Sequence, residues 1–272
     1  MWVITSITPS ITIRRLRPLH FQKAFMASLS STAAAEIPAV DLSSFCYERT
    51  PSAEDALAQA AAAKALDHAC SQVGFFYLAL PGLAEAAARL LQRCHEFHEL
   101  PDAVKMTVSN QLSPMYRGYN VTWQPGNGGS CAARATIDPP DPKEVMMFGS
   151  EEPREAAVGA DDEPTEAQGI IHNGRSPMHG PNLWPDPSAL PEGWREGLEE
   201  DWASMLAAAR ILAKALAKAL GEPPNVFDEA MRQPASVLIL LRYDASKLLP
   251  GSNTGCGAHT DCGFLVSTSG ST

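Results

Sequence analysis

The sequence predicts an α+β protein with a helical N-terminal region and most of its strands in the C-terminal part. Two observations lead to this fold class. Apolar residues recur at helical spacing at residues 83–100 and 196–220, and residues 54–71 are Ala-rich, which also favours a helix. Short apolar runs bounded by Pro and Gly indicate strands between and after these helices. With 272 residues, the chain is long enough for one large domain or two small ones.

Short strands and helices alternate in the first hundred residues. Residues 37–42 predict an edge strand with a proline near its start. Residues 54–71 form an Ala-rich helix that ends near Gly74. Residues 75–80 form an apolar strand that a Pro-Gly pair closes, and residues 83–100 form a second helix with one apolar face.

The second half of the chain contains two loop regions, two strands and the clearest helix. Residues 110–142 are rich in Gly, Asn and Pro and predict a loop, and residues 143–148 predict a strand. Residues 149–185 form a long acidic and Pro-rich connection, a length that is usually functional or mobile. Residues 196–220 form a helix with acids at its start and lysines near its end. Residues 237–241 are a continuous apolar run, which predicts a strand buried on both faces.

Composition excludes several classes of function. A net charge of −10 and a pI of about 5.2 argue against nucleic acid or an anionic membrane as a partner. The chain contains no run of 18 apolar residues, so no membrane span is expected. Six cysteines occur without a Cys-x-x-Cys pair, which favours free thiols in a reducing compartment. We therefore expect a cytoplasmic protein.

Residues 1–35 differ in composition from the rest of the chain. They carry four of the 21 Lys and Arg residues and no acid, which leaves 17 basic against 31 acidic residues in the remainder. This composition is typical of a plastid or mitochondrial transit peptide, the alternative to a cytoplasmic location. Met26 is equally suitable as a start, in which case residues 1–25 are an upstream extension without a fold.

The motif with the most specific chemistry is His259-Thr260-Asp261. A His and an Asp two residues apart on a strand point to the same face. Two of the three ligands of a 2-His-1-carboxylate iron site can be presented in this way. By itself the tripeptide is also compatible with a solvated loop or a hydrogen-bonded pair.

The surrounding sequence resembles a known enzyme family. Residues 257–265, Gly-Ala-His-Thr-Asp-Cys-Gly-Phe-Leu, closely resemble the iron-ligand strand of the 2-oxoglutarate/Fe(II)-dependent dioxygenases of the isopenicillin N synthase-like family. The resemblance covers roughly residues 36–265 in the family's order, through further segments at residues 37–42, 69–78, 97–101 with Lys105, 117–119, 143–144 and 179–185.

The resemblance implies a fold and a domain organisation. The family fold is a double-stranded β-helix, or jelly roll, flanked by helices. We expect a transit peptide or unstructured extension at residues 1–35, a dioxygenase N-terminal domain at 36–150 and a long acidic loop at 151–190. Residues 191–272 would form the first part of a truncated core. Because too few strands remain to close the barrel, the jelly roll is expected to be incomplete.

The same resemblance implies cofactors and residue roles. Fe(II) would be the metal and 2-oxoglutarate the co-substrate, and a small molecule would be hydroxylated, desaturated or cyclised. His259 and Asp261 look like the first two iron ligands. Tyr243 resembles the tyrosine that contacts the 2-oxo acid or a substrate carboxylate, for which a phenol OH is a suitable donor, although strand-end packing is an alternative. Arg117 and Tyr119 are expected to position a loop and, secondarily, to contact substrate.

The chain departs from the family pattern after Asp261. The family uses a later His as third ligand and an Arg-x-Ser pair that binds the distal carboxylate of 2-oxoglutarate. No His, Lys or Arg follows Asp261. His172 and His179 are alternative ligands, whereas Cys256 and Cys262 have the wrong parity to face the metal. His95 and His98 are one helical turn apart and are expected on an exposed or half-buried helix face.

Three hypotheses follow from these observations. In the first, the chain is a truncated product of an oxygenase gene and has little activity of its own. In the second, it is a non-catalytic interaction partner that binds another protein through an exposed strand edge of its open half-barrel. In the third, it is an intact enzyme that uses another residue as third iron ligand.

Overall fold

The computed structural model of the chain describes residues 3–4, 37–47, 51–113, 115, 117–121, 143–151, 180–232, 234–244, 246 and 265–270. The chain divides into two compact units. The first unit comprises Met1–Leu91, Glu199–Arg232 and His259–Thr272. The second unit comprises Gln92–Leu198 and Gln233–Ala258.

Helices and strands are both present in the described residues, which confirms the α+β class. The helices are α1 (Ala53–His68), α2 (Leu83–His98), α3 (Asp102–Lys105), α4 (Trp194–Ala219) and α5 (Asp228–Arg232). The strands are β1 (Val3–Ile4), β2 (Ala39–Asp41), β3 (Tyr77–Ala79), β4 (Gly118–Val121), β5 (Lys143–Gly149), β6 (Val237–Tyr243) and β7 (Ser267–Thr268). No described helix is both long enough and apolar enough to cross a membrane.

In the first unit, α1 begins with a reciprocal capping box. The Ser52 hydroxyl accepts a hydrogen bond from the Asp55 N–H at 3.1 Å, and the Asp55 carboxylate accepts one from the Ser52 N–H at 2.8 Å. Two backbone donors that a helix start leaves without partners are satisfied in this way. The helix continues through a π-helical turn at Ala69–Val73 and ends at Gly74, whose φ of +81° is a left-handed cap.

A parallel pair of strands and the second half of α4 enclose the core of the first unit. Val40 of β2 pairs with Leu78 of β3, and both side chains are buried. Leu212 and Leu216 of α4 are buried in the same hydrophobic cluster. Arg89 of α2 donates to the buried carboxylate of Asp201 at 2.7 Å.

In the second unit, β4, β5 and β6 form an antiparallel sheet with β5 in the middle. The register places Val121 opposite Glu144 and Glu144 opposite Arg242. Because side chains alternate along a strand, these residues share one face of the sheet. Three apolar side chains of that face are almost fully buried, namely Met146, Phe148 and Leu240.

The predicted elements are largely confirmed. The helices predicted at 54–71, 83–100 and 196–220 correspond to α1 with its π-helical turn, α2 and α4. The strands predicted at 37–42, 75–80, 143–148 and 237–241 correspond to β2, β3, β5 and β6.

The predicted loop at residues 110–142 is wrong at Gly118–Val121, which forms β4. The glycine that suggested a turn has a structural role inside the sheet. Gly118 has a φ of +99°, and a Cβ atom at this position would lie 2.6 Å from the carbonyl oxygen of Val108. Close approach of two backbones therefore explains this glycine better than a turn does.

The prediction that residues 237–241 are buried on both faces is wrong. Leu240 is 3% exposed, but Ile239 on the opposite face is 44% exposed. A continuous apolar run does not reveal which of its faces is covered.

Strand β7 pairs with β1, with Ser267 and Thr268 antiparallel to Ile4 and Val3. The pairing uses backbone groups, so it does not require an apolar pattern.

Replacing Ser52 with Ala is expected to lower the free energy of unfolding by about 1 kcal/mol, because the Asp55 N–H loses its acceptor. Urea denaturation of both proteins measures the difference. Ser204→Ala is the matched control, since Ser204 is exposed in the middle of α4 and its change should stay within about 0.5 kcal/mol. Equal effects of the two substitutions would contradict the capping role.

Candidate functional site

A buried carboxylate organises the sheet of the second unit. Lys105 Nζ and the Tyr119 hydroxyl each donate to Glu144 Oε2 at 2.8 Å. Arg242 donates to Glu144 Oε1 from the neighbouring strand. Both oxygens of Glu144 are therefore bonded, and the side chain is only 4% exposed. We call Glu144, Lys105, Tyr119, Arg242 and His98 the Glu144 cluster.

The cluster also satisfies the C-terminal end of α2. The carbonyl oxygen of His98 accepts a hydrogen bond from Arg242 Nη1 at 3.0 Å and one from Lys105 Nζ at 3.5 Å. The last carbonyls of a helix lack partners within the helix and carry partial negative charge, so cations stabilise them. Arg242 thus joins β5 to the end of α2.

Hydrogen bonds within the cluster keep the Glu144 carboxylate ionised. Burial alone would raise the pKa of Glu144, but hydrogen bonds from Lys105, Tyr119 and Arg242 outweigh burial and lower it to about 2. Because the ordinary value is 4.5, the ionised carboxylate stabilises the fold above pH 4.5, and this contribution is lost as the pH falls toward 2. Burial and the Glu144 carboxylate both raise the pKa of the Tyr119 phenol, which stays neutral and donates.

His98 is a buried titratable group of the cluster. Its Nδ1 lies 3.5 Å from Glu144 Oε2, and its side chain is 2% exposed. Burial lowers the pKa of the imidazole, although the nearby carboxylate partly opposes this shift. The predicted exposed or half-buried helix face at this residue is wrong, because His98 lies inside the unit.

The opposite face of the sheet is more open and carries Tyr243. We define the opposite face by Asn120, Lys143, Val145, Ile239, Leu241 and Tyr243, which alternate with the residues of the cluster face. Tyr243 is 47% exposed at the end of β6 and lies opposite Lys143. Among the described residues, the buried Oδ1 of Asn120 has no hydrogen-bond partner. This face combines apolar area with a few polar groups, as ligand sites do.

Arg117 is buried beside the end of β5. Any side chain at Gly149 would overlap the Arg117 guanidinium, and burial lowers the pKa of Arg117 while Glu151 opposes this shift. The Asn182 side chain accepts from the Gly149 N–H at 2.8 Å and donates to its carbonyl at 2.9 Å. Gly149 is therefore enclosed by Arg117 and Asn182.

Trp184 and Phe148 form an aromatic stack next to Gly149. The Trp184 ring stacks on Phe148 at 4.6 Å between centroids, and the Arg195 guanidinium lies 4.2 Å from the Trp184 ring. Glu151 accepts from the Trp184 indole at 3.2 Å. Residues 180–184 are thus fixed against the end of β5.

The structure brings only some of the predicted site residues together. Arg117, Tyr119 and Tyr243 all belong to the second unit, and Tyr119 donates to Glu144 within the cluster. Their predicted contacts with substrate or 2-oxo acid stay predictions.

The predicted metal ligands His259 and Asp261 lie outside the described residues, as do His172, His179, Cys256 and Cys262. Among the residues that are described, no group of three or more His, Cys, Asp or Glu side chains could hold a metal ion.

Sequence reasoning missed the Glu144 cluster. The sequence did contain a sign of it, because the charged residues of Lys143-Glu144 and Arg242-Tyr243 lie at the ends of apolar strands. Charged side chains in such positions are rarely buried unless they are paired with an opposite charge. The partner assignment required the strand register, which the sequence alone does not provide.

Glu144→Gln is expected to lower the free energy of unfolding by about 3–5 kcal/mol, because the buried Lys105 would keep only the exposed Asp102 as a carboxylate partner. Chemical denaturation measures this loss. Glu229→Gln removes a surface partner of Arg232 and should change stability by less than about 1 kcal/mol. A loss below about 1 kcal/mol for Glu144→Gln would contradict the central role of this carboxylate.

His98 is expected to make the protein less stable in mild acid. The folded state holds the imidazole neutral, whereas the unfolded chain binds a proton below its ordinary pKa of 6.5, so stability falls as the pH drops through 6.5. Unfolding measured at several pH values should show a smaller dependence for His98→Asn. The control His95→Asn changes an exposed residue of the same helix and should keep the wild-type dependence. Identical pH dependences for His98→Asn and wild type would refute this assignment.

A family model and several relatives match the chain. The model described as "non-haem dioxygenase in morphine synthesis N-terminal" matches residues 37–187, more than half of the chain. The 2-oxoglutarate-dependent dioxygenase caaD of Aspergillus niger is 29% identical over 233 residues, which are 85% of this chain and 62% of that protein. The homoarginine-6-hydroxylase 2-ODD-233 of Oryza sativa subsp. japonica is 28% identical over 207 residues, 74% of this chain and 55% of that protein.

The fold is similar to that of a solved oxygenase. A putative 2OG-Fe(II) oxygenase family protein from Caulobacter crescentus matches with a TM-score of 0.51 and 18% identity, over 76% of this chain and 56% of that chain. The chain thus spans between half and two thirds of the length of these relatives. Fe(II) is the metal of this family and 2-oxoglutarate is its co-substrate. With a family model that matches more than half of its residues, the chain belongs to the 2-oxoglutarate/Fe(II)-dependent dioxygenase family.

Proposed function

We propose that the chain forms part of a dioxygenase that oxidises a small molecule with Fe(II) and 2-oxoglutarate. One observation on this chain supports the proposal in addition to its family membership. Tyr243 is half-exposed at the end of β6, on the face of the sheet opposite the Glu144 cluster. A phenol in this position supports the contact with a 2-oxo acid that the sequence predicts.

In this proposal, His259 and Asp261 hold the metal. An imidazole and a carboxylate are suitable donors for Fe(II) in a site that leaves positions open for other ligands. When bound, Fe(II) with 2-oxoglutarate would supply the oxidising chemistry. The described residues would bind and orient: Tyr243 would donate to a carboxylate, and the apolar side chains of the opposite face would exclude water.

The substrate is proposed only as a class. Homoarginine-6-hydroxylase acts, as its name says, on homoarginine. A small organic molecule would fit the opposite face, where Asn120 and Lys143 flank Val145. Arg117 is proposed to position the end of β5 rather than to contact this substrate, since it is 1% exposed beside Gly149.

We propose weak or no turnover by these 272 residues alone and an incomplete jelly roll. In this proposal His172 and His179 are the alternative third protein ligands. Formation of succinate from 2-oxoglutarate at ordinary enzyme rates, on the order of 1 s⁻¹ or faster, would contradict this part of the proposal.

A second candidate function is that of a non-catalytic interaction partner. Among the described residues, β6 pairs with β5 only, and Ile239 is 44% exposed. Such an edge can bind a strand of another protein. Light scattering distinguishes the two candidates: a complex that dissociates in the Ile239→Lys variant would favour this second function, and a monodisperse monomer would count against it.

The 272-residue chain is expected to bind one Fe(II) or Mn(II) ion, and 2-oxoglutarate only when the metal is present. His259→Ala should abolish metal binding in calorimetric titrations, because removal of one of two predicted protein ligands leaves a single carboxylate. Cys256→Ala is the matched control, since its side chain has the opposite parity on the predicted strand.

Unchanged metal affinity in His259→Ala would contradict the proposed ligand. A His172→Ala/His179→Ala double variant tests the alternative third ligands. Unchanged metal affinity in that variant would exclude both.

A further inference from the structure

We propose that Glu144 is a positioning residue for 2-oxoglutarate binding: it holds Arg242, and through Arg242 it fixes the orientation of Tyr243. This inference rests on the proposed function, because it takes Tyr243 as the residue that contacts the 2-oxo acid. It assigns a role to a carboxylate that lies on the other face of the sheet and does not itself touch a ligand.

The strand geometry provides the connection. Arg242 and Tyr243 are consecutive in β6, so their side chains point to opposite faces. The backbone of β6 is continuous and paired with β5 at both residues, so an Arg242 side chain that is bonded to Glu144 and to the His98 carbonyl limits how far this end of the strand can shift. Fixing the Arg242 guanidinium therefore restricts the direction in which the Tyr243 side chain leaves the strand.

Arg242 is held from two directions. Its Nη2 donates to Glu144 on β5, and its Nη1 donates to the His98 carbonyl at the end of α2, at 3.0 Å. Two bonds from one planar guanidinium to two separate elements fix its plane as well as its position. A single bond to either element would leave rotation about that bond.

Glu144 is itself immobilised, which is necessary if it is to hold another residue. Its second oxygen accepts from Lys105 and Tyr119, each at 2.8 Å. Lys105 is in turn 3.0 Å from Asp102 Oδ1. The carboxylate thus cannot follow Arg242 if β6 shifts, and the shift would break at least one bond.

The restrained residue, Arg242, lies next to the C-terminal end of β6. Lys143 opposite Tyr243 is the last pair of the ladder between β5 and β6. Asp244 then accepts from the Ser246 N–H at 2.9 Å, which begins a turn. The ends of a strand open most readily, so the two hydrogen bonds of Arg242, one residue before the end of β6, restrain the part of the strand that would otherwise open first.

Stability alone does not explain this arrangement. A buried ion pair is often no more stabilising than well-packed apolar residues of similar volume. What an apolar replacement would not provide is a directional bond to Arg242. The inference for this chain is that the cluster provides a fixed geometry at Tyr243.

The test measures the affinity of the full chain for 2-oxoglutarate in the presence of Mn(II) by calorimetry. Glu144→Gln should weaken 2-oxoglutarate binding by about tenfold or more, since losing a hydrogen bond to a charged group costs roughly ten- to a hundredfold in affinity. The affinity for Mn(II) alone should change less than about twofold, because neither proposed metal ligand, His259 or Asp261, is a member of the Glu144 cluster. Arg242→Gln should reproduce the loss, and its side chain is 39% exposed, so this variant is the better tolerated of the two.

A double variant separates action through Arg242 from independent effects. If Glu144 acts through Arg242, the Glu144→Gln/Arg242→Gln protein should bind 2-oxoglutarate about as weakly as either single variant. If the loss of 2-oxoglutarate affinity in the double variant equals the product of the two single losses, the inference is overturned.

Asp201→Asn controls for lost stability. It also breaks a pair with a buried carboxylate, the one with Arg89, but neither residue belongs to the Glu144 cluster, so 2-oxoglutarate affinity should stay within about twofold of wild type. Wild-type affinity in both Glu144→Gln and Arg242→Gln would overturn the positioning role while leaving the proposed function standing. Absence of 2-oxoglutarate binding by the wild-type chain with Mn(II) would overturn the proposed function, and the inference with it.

Discussion

The sheet of the second unit depends on one buried carboxylate and the groups that satisfy it. An ionised Glu144 could not remain 4% exposed without partners, because desolvation of a lone charge costs several kcal/mol. Three elements supply the donors: Lys105 from α3, Tyr119 from β4 and Arg242 from β6. The requirement for these donors explains why a short helix, two strands and the end of α2 meet at this point.

This constraint divides the sheet into two faces with different properties. On the cluster face, Met146 and Phe148 are fully buried and both oxygens of Glu144 are hydrogen-bonded. On the opposite face, Ile239 and Tyr243 are nearly half exposed. Binding sites in enzymes are usually carried by rigid scaffolds that leave a partly apolar surface accessible. In our account, the cluster provides the rigidity and the opposite face provides the surface.

Much of the fold follows from local sequence patterns, whereas the cluster does not. The helix at Trp194–Ala219 was predictable because apolar residues recur every three or four positions along its whole length. Strand β4 was not, since Gly118 and Asn120 favour turns and the strand is explained only by the close approach of Val108. The role of Glu144 could not be predicted for a related reason. Its hydrogen-bond partners are 25 to 98 residues away in sequence, and only the strand register brings them next to it. Family motifs indicated that these positions matter, but not which atoms they join.

The central claim is that the face of the sheet carrying Tyr243, and not the cluster face, binds the 2-oxo acid. A crystal structure of the chain with Mn(II) and 2-oxoglutarate tests it most directly. Our account predicts a carboxylate of 2-oxoglutarate within hydrogen-bond distance of the Tyr243 hydroxyl, the metal on His259 and Asp261, and an unchanged Glu144 cluster. Density for 2-oxoglutarate away from Tyr243, or on the side of Glu144, would contradict it.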